Sequence, residues 1–166
     1  MSLAIDAGVS APTLQEAMEF IWSEADLLDS KSYAEWLELW REEGIYVVPI
    51  DPETEDFAAT LNYAYDDAEM RQARVKRLTG TSAMSVTAAA RTVRTVSRFR
   101  QLEVEGAQIR VRCAQHLIEC KRGVQRLYAG DLTYDIVRDA GSLKLLRKVV
   151  RLINSTEALG GIAYLL

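Results

Sequence analysis

Apolar positions along the chain change their period about halfway. In the first half they recur at helical spacing: Leu14, Ala17, Met18, Ile21, Ala25 and Leu28 fall on one helix face. Thr13-Leu-Gln-Glu16 in front of them is a capping box, in which the threonine side chain accepts an early helix N–H and Glu16 reaches back. Ser32-Tyr-Ala-Glu35 has the same form and predicts a second, short helix carrying Trp36, Leu37 and Trp40. Asp66-Asp-Ala-Glu69 predicts a third, running to about Leu78 and closed by Gly80. Between the second and third helices, Gly44 to Pro49 reads as a strand that Pro49 ends or marks as an edge. Leu61 to Tyr65 reads as a short strand after an Asp51-Pro52 turn.

The second half is written with a period of two. Ala107 to Cys113 alternates strictly, and in Val124 to Val137 the residues Tyr128, Leu132, Tyr134 and Ile136 share one face while Gln125, Asp131, Thr133 and Asp135 take the other. Turns fall at Glu105-Gly106, Arg122-Gly123 and Asp139-Ala-Gly141, with further strands at Arg91 to Phe99 and Leu143 to Ile153. Helices followed by a four-strand meander predict an α+β fold, a curved antiparallel sheet wrapped on helices as a cone with an open mouth. Residues 1–12 are small and mixed and predict a flexible arm, leaving 13–166 as a single domain.

Composition supports a globular chain: 166 residues, 49% hydrophobic and 27% charged. A net charge of −4 argues against nucleic acid as a partner. The charge is segregated. Between Asp6 and Glu69 the only bases are Lys31 and Arg41, and between Arg71 and Arg126 the only acids are Glu103, Glu105 and Glu119. A basic groove is one reading; the other is that the halves neutralise each other or a partner. Cys113 and Cys120 form no CxxC pair, and seven residues apart on one strand they would face opposite sides. Free thiols, no signal-peptide pattern and no membrane-length apolar run place the chain in the cytoplasm, off the membrane.

Candidate chemistry turns on His116, the only histidine. A Rieske cluster needs two histidines and two cysteines, and a mononuclear iron site two histidines and a carboxylate, so one histidine supplies neither. No GxSxG, GxGxxG or Walker pattern occurs. His116 is either a hydrogen-bonded structural residue or, in a cone pocket, a general base assisted by Asp26 or Asp29. Glu24, Asp26 and Asp29 oppose the dipole at the end of the first helix, which pairing with arginines of the sheet or of a partner would explain. Arg71, Arg74 and Arg77 form a basic stripe, either a solvated helix face or an ion-pairing surface. Tyr33, Trp36 and Trp40 read as core. The apolar stretch Ile162-Ala-Tyr-Leu-Leu166 suggests a segment tucked into a core or a subunit interface.

An ordered series of segments resembles the β subunits of aromatic-ring-hydroxylating dioxygenases. Glu24-Ala25, Leu28-Asp29, Tyr33 and Trp36-Leu37 resemble the opening of that family, followed by Tyr46 and Pro49. Asp66-Asp67, Arg74-Val75, Arg77-Leu78 and Thr79-Gly80 resemble its next helix and exit. Leu127-Tyr-Ala-Gly130, Asp135, Arg138 and Lys148-Val-Val-Arg-Leu152 resemble its last two strands. Where the family carries tryptophan, an acid and proline after that glycine, this chain has Met84-Ser85-Val86 and Ala88-Ala89-Ala90, with Arg91 retained. The resemblance implies a cystatin-like cone of the nuclear transport factor 2 superfamily. It implies a structural β subunit with no cofactor of its own. A partner α subunit would carry the Rieske [2Fe-2S] cluster and the mononuclear Fe(II), in an α3β3 hexamer with β–β contacts. Arg71, Arg74, Arg77, Arg91, Tyr164, Leu165 and Leu166 are the candidate interface. The alternative is a stand-alone isomerase, dehydratase or polyketide cyclase on the same cone, using His116 with Asp26 or Asp29.

Overall fold

The computed structural model describes residues 8–80, 90–157 and 164–166. Among the described residues, three helices, α1 (Leu14–Asp29), α2 (Tyr33–Glu38) and α3 (Ala68–Gly80), accompany six strands: β1 (Trp40–Pro49), β2 (Asn62–Asp66), β3 (Arg91–Glu105), β4 (Gln108–Lys121), β5 (Val124–Asp139) and β6 (Ser142–Leu152).

The capping box opens α1 as its sequence predicts. Glu16 N–H donates to Thr13 Oγ1 at 3.2 Å, and Thr13 N–H donates to Glu16 Oε2 at 2.8 Å. The helix buries Ala17, Ile21, Glu24, Ala25 and Leu28. The second box does not form: Ser32 makes no side-chain cap, and its hydroxyl pairs with that of Ser30. Trp40, expected in α2, opens β1 instead, because Leu145 N–H donates to the carbonyl of Leu39 and draws the chain into the sheet. Asp67 rather than Asp66 caps α3, its Oδ1 accepting from Met70 N–H at 2.9 Å.

The strands make one sheet in the order β2-β1-β6-β5-β4-β3. The expected meander forms from β3 to β6, each pair antiparallel. β1 joins β6 in parallel and carries β2 on its other side. Two hairpins turn on residue pairs with positive φ, Arg122-Gly123 and Ala140-Gly141, as type I′ turns need to match strand twist. The inner face packs Val111, Cys113, Leu117, Leu132, Tyr134 and Ile136 against the helices in one core. Tyr33, Trp36 and Trp40 lie in that core, with Trp36 and Trp40 ring centroids 5.4 Å apart. The acidic first half folds onto the basic second: Asp29 pairs with Arg94, Glu16 with Arg138 and Glu55 with Arg151. Of residues 1–12, the first seven fall outside the described residues. Ser10 offers its carbonyl to Arg138, and Pro12 is buried.

Candidate functional site

The cone interior is polar at its centre. Glu24 falls in the apolar stripe of α1, and Lys148 shares strand parity with Val150 and Leu152, so helix and sheet each bury one charge. The two meet at 2.8 Å. Trp36 Nε1 donates to the same carboxylate at 2.9 Å, and Tyr134 Oη donates to its second oxygen at 2.9 Å. Three donors thus engage one buried carboxylate, which ties α1 and α2 to β5 and β6. Burial holds the Lys148 ammonium below its usual pKa, against the opposing pull of Glu24. Burial and the Glu24 charge push the Tyr134 phenol well up, and burial pushes the Cys113 thiol up to about 12. Cys113 therefore stays a thiol at neutral pH and is no nucleophile.

Residues 164–166 pack against the inner face of the sheet, with Leu165 and Leu166 buried in the core and Tyr164 against it. Arg94, whose side chain is 1% exposed, donates through Nη2 to the carbonyl of Leu165 and through Nη1 to Asp29. Leu166 N–H donates to Tyr46 Oη at 3.0 Å, and Tyr164 Oη donates to Glu119 at 2.5 Å.

The predicted site residues scatter against this frame. His116 is exposed on the outer face of β4, between Thr95 and Ala129. Asp26 is exposed on α1, and Asp29 accepts on the inner side from Thr92 Oγ1 and Arg94 N–H, each at 2.8 Å. The sheet separates His116 from both, so the proposed acid–base set does not converge. The arginine stripe also divides. Arg71 is buried over the Trp40 ring, 4.3 Å from its centroid, and donates to the carbonyls of Gly44, Asp66 and Arg41. Arg74 forks onto Asp66, and only Arg77 is exposed. Arg71, Leu165 and Leu166 are thus buried within the chain, and Arg74 and Tyr164 are half-buried. Arg91 is exposed at the start of β3. Residues 84–89 lie outside the described residues.

The outer face carries two zones. Val93, Ile118 and Leu127 line up across β3, β4 and β5, and are 63%, 43% and 59% exposed. Arg91, Thr95, His116 and Ala129 flank this row by strand alternation. Beyond it is a charged lattice in which Asp131 accepts from Arg112 and Arg98, and Asp135 from Arg110. A groove of about 650 Å³ runs over that lattice under the 51–57 loop, which Arg151 holds through the carbonyls of Pro52 and Thr54. Sequence reasoning singled out Glu24 as a carboxylate in need of a sheet or partner arginine, but it missed the roles of Lys148, which takes that place, and of Arg94. Their signal was charge at apolar-phase positions, visible only once strand parity was fixed. Among the described residues no group of three or more His, Cys, Asp or Glu is placed to hold a metal ion, and no helix is long and apolar enough to cross a membrane.

Comparison with known proteins gives a consistent set. The family model for the ring hydroxylating beta subunit matches residues 23–157. The small oxygenase component of the p-cumate 2,3-dioxygenase system of Pseudomonas putida is 32% identical over 138 residues, 82% of this chain and 77% of that protein. The crystal structure of the β subunit of benzoate 1,2-dioxygenase from Burkholderia mallei superposes with a TM-score of 0.80 at 21% identity, covering 95% of this chain and all of that one. An NTF2-like protein with a cystatin-like fold from Novosphingobium aromaticivorans superposes with a TM-score of 0.60 at 18% identity, covering 84% and 81%.

Proposed function

The chain belongs to the ring hydroxylating beta subunit family, and on that premise we propose how it works: as a scaffold that docks an iron-bearing large subunit on the outer face of its sheet. It is the small, non-catalytic subunit of a ring-hydroxylating dioxygenase. The observation that carries the docking reading is the row Val93, Ile118 and Leu127, an apolar strip left exposed across three paired strands. Apolar side chains arranged contiguously in water mark a surface that a partner covers. Arg91 beside that strip and Arg77 on α3 remain the charged members of the candidate interface.

The assembly takes equal numbers of the two subunits, an α3β3 hexamer with β–β contacts, in the cytoplasm. The large subunit holds the Rieske [2Fe-2S] cluster and the mononuclear Fe(II) and binds the substrate. An aromatic carboxylate is the substrate class supported by the relatives, whose names specify p-cumate and benzoate. The stand-alone enzyme reading loses its support because His116 and the two aspartates lie on opposite sides of the sheet.

The test is affinity purification of the tagged chain from its native host, with native mass and iron content measured. An iron-bearing partner recovered in equal amount, and lost with Ile118→Asp, is the expected result. An iron-free homo-oligomer would overturn the reading.

A further inference from the structure

We infer that the seat beside Arg94 and Tyr46 on the inner face of the sheet is a binding site for a small apolar carboxylate, and that residues 164–166 occupy it in place of such a ligand. The contacts of this segment are those a ligand would make. Its Leu165 carbonyl accepts from Arg94, its Leu166 N–H donates to Tyr46, its Tyr164 hydroxyl donates to Glu119, and both leucine side chains join the apolar core.

The receptor side is held without the segment. Arg94 Nη1 donates to Asp29 and to Thr92 Oγ1, and Arg94 N–H donates to Asp29 Oδ2 at 2.8 Å, so the guanidinium keeps its place when the segment leaves. Its Nε is buried with no hydrogen-bond partner. Nε and Nη2 share one edge of the planar group, the edge that receives a carboxylate through two parallel N–H···O bonds. A neutral carbonyl engages only Nη2, leaving a buried donor idle, whereas a carboxylate would satisfy both. Charge-assisted bonds of this kind are about twice as strong as neutral ones. The tether compensates, because a segment attached to its own site acts at roughly millimolar effective concentration. The inference rests on these contacts alone and does not depend on the assembly.

Benzoate is the probe, with neutral benzamide as its control, titrated calorimetrically into the full chain and into a chain lacking residues 164–166. The shortened chain should bind benzoate at least tenfold more tightly than the full chain does, and more tightly than it binds benzamide. In the shortened chain Arg94→Lys, which keeps the charge and loses the fork, should weaken binding at least tenfold. A shortened, folded chain that binds benzoate no better than the full chain, or no better than benzamide, would overturn the inference. If shortening prevents folding, the double variant Leu165→Ala/Leu166→Ala keeps the backbone and loosens the seat. Benzoate should then raise its Tm more than that of the unaltered chain, and equal shifts would overturn the inference.

Discussion

The two faces of the sheet solve opposite problems. On the inner face, polar groups close on one another: Glu24 accepts from Lys148, Trp36 and Tyr134, and Arg94 donates to Asp29 and to the carbonyl of Leu165. On the outer face, three large apolar side chains stand side by side in water while the charges beside them pair among themselves. A face whose charges are paired internally folds without help, and one with an unmatched apolar strip awaits another molecule. Inner-face changes should therefore damage folding and outer-face changes assembly.

The largest effect expected is that of Lys148→Met, which strands the Glu24 carboxylate in the core. Losing one partner of a buried pair costs about 3–5 kcal/mol, so urea unfolding of the isolated chain should show a loss of that order. The double variant Glu24→Leu/Lys148→Met should recover most of it, and a double variant as weak as the single would show that the pair itself carries the stability. Gly44→Ala comes next. A Cβ there would sit 2.8 Å from the Trp40 ring and 2.9 Å from the Leu145 carbonyl oxygen, so the bend in β1 that feeds Arg71 would have to shift. Overpacking of this kind costs about 1–3 kcal/mol, read as a lower Tm.

Alkaline pH probes the same interior. Burial raises the Cys113 thiol from 9.0 to about 12, so the folded state keeps a proton that the unfolded chain gives up. That contribution is intact below pH 9 and is lost as pH rises toward 12. At pH 10 the loss amounts to about 1.4 kcal/mol relative to neutral pH, and Cys113→Ala should flatten this part of the stability–pH curve. The outer face supplies the smallest effects on folding. Ile118→Asp and His116→Ala should each leave the stability of the isolated chain within about 0.5 kcal/mol. His116→Ala should also leave turnover of the assembled oxygenase nearly unchanged, and a hundredfold loss with assembly intact would place catalysis in this chain.

Patterns set by local chemistry were legible in the sequence. The alternation of β4 shows because one of its faces is buried and the other wet, and the Thr13 box shows because its two hydrogen bonds span only three residues. What stayed hidden depended on distant contacts. Trp40 sits at helical spacing after Trp36, yet pairing with Leu145 makes it strand. Arg71 reads as surface until the carbonyls of Arg41 and Gly44 are brought over it by β1. The parallel β1–β6 pairing leaves no periodic trace, since both strands are bordered by turns that suit antiparallel neighbours as well.

That pairing bears on how the chain is made. β6 lies between β1 and β5, so the last in chain order of the described strands is the one that joins the first half of the sheet to the second. While the ribosome is still making β5, no strand links β1 and β2 to β3 and β4, and Glu24 is in α1 without its lysine. Closure over so long a stretch of chain is slow, and a nascent chain in that state exposes strand edges and core surface. The sheet can thus be completed only after Lys148 has emerged, and until then the growing polypeptide leaves uncovered the strand edges that β6 will join.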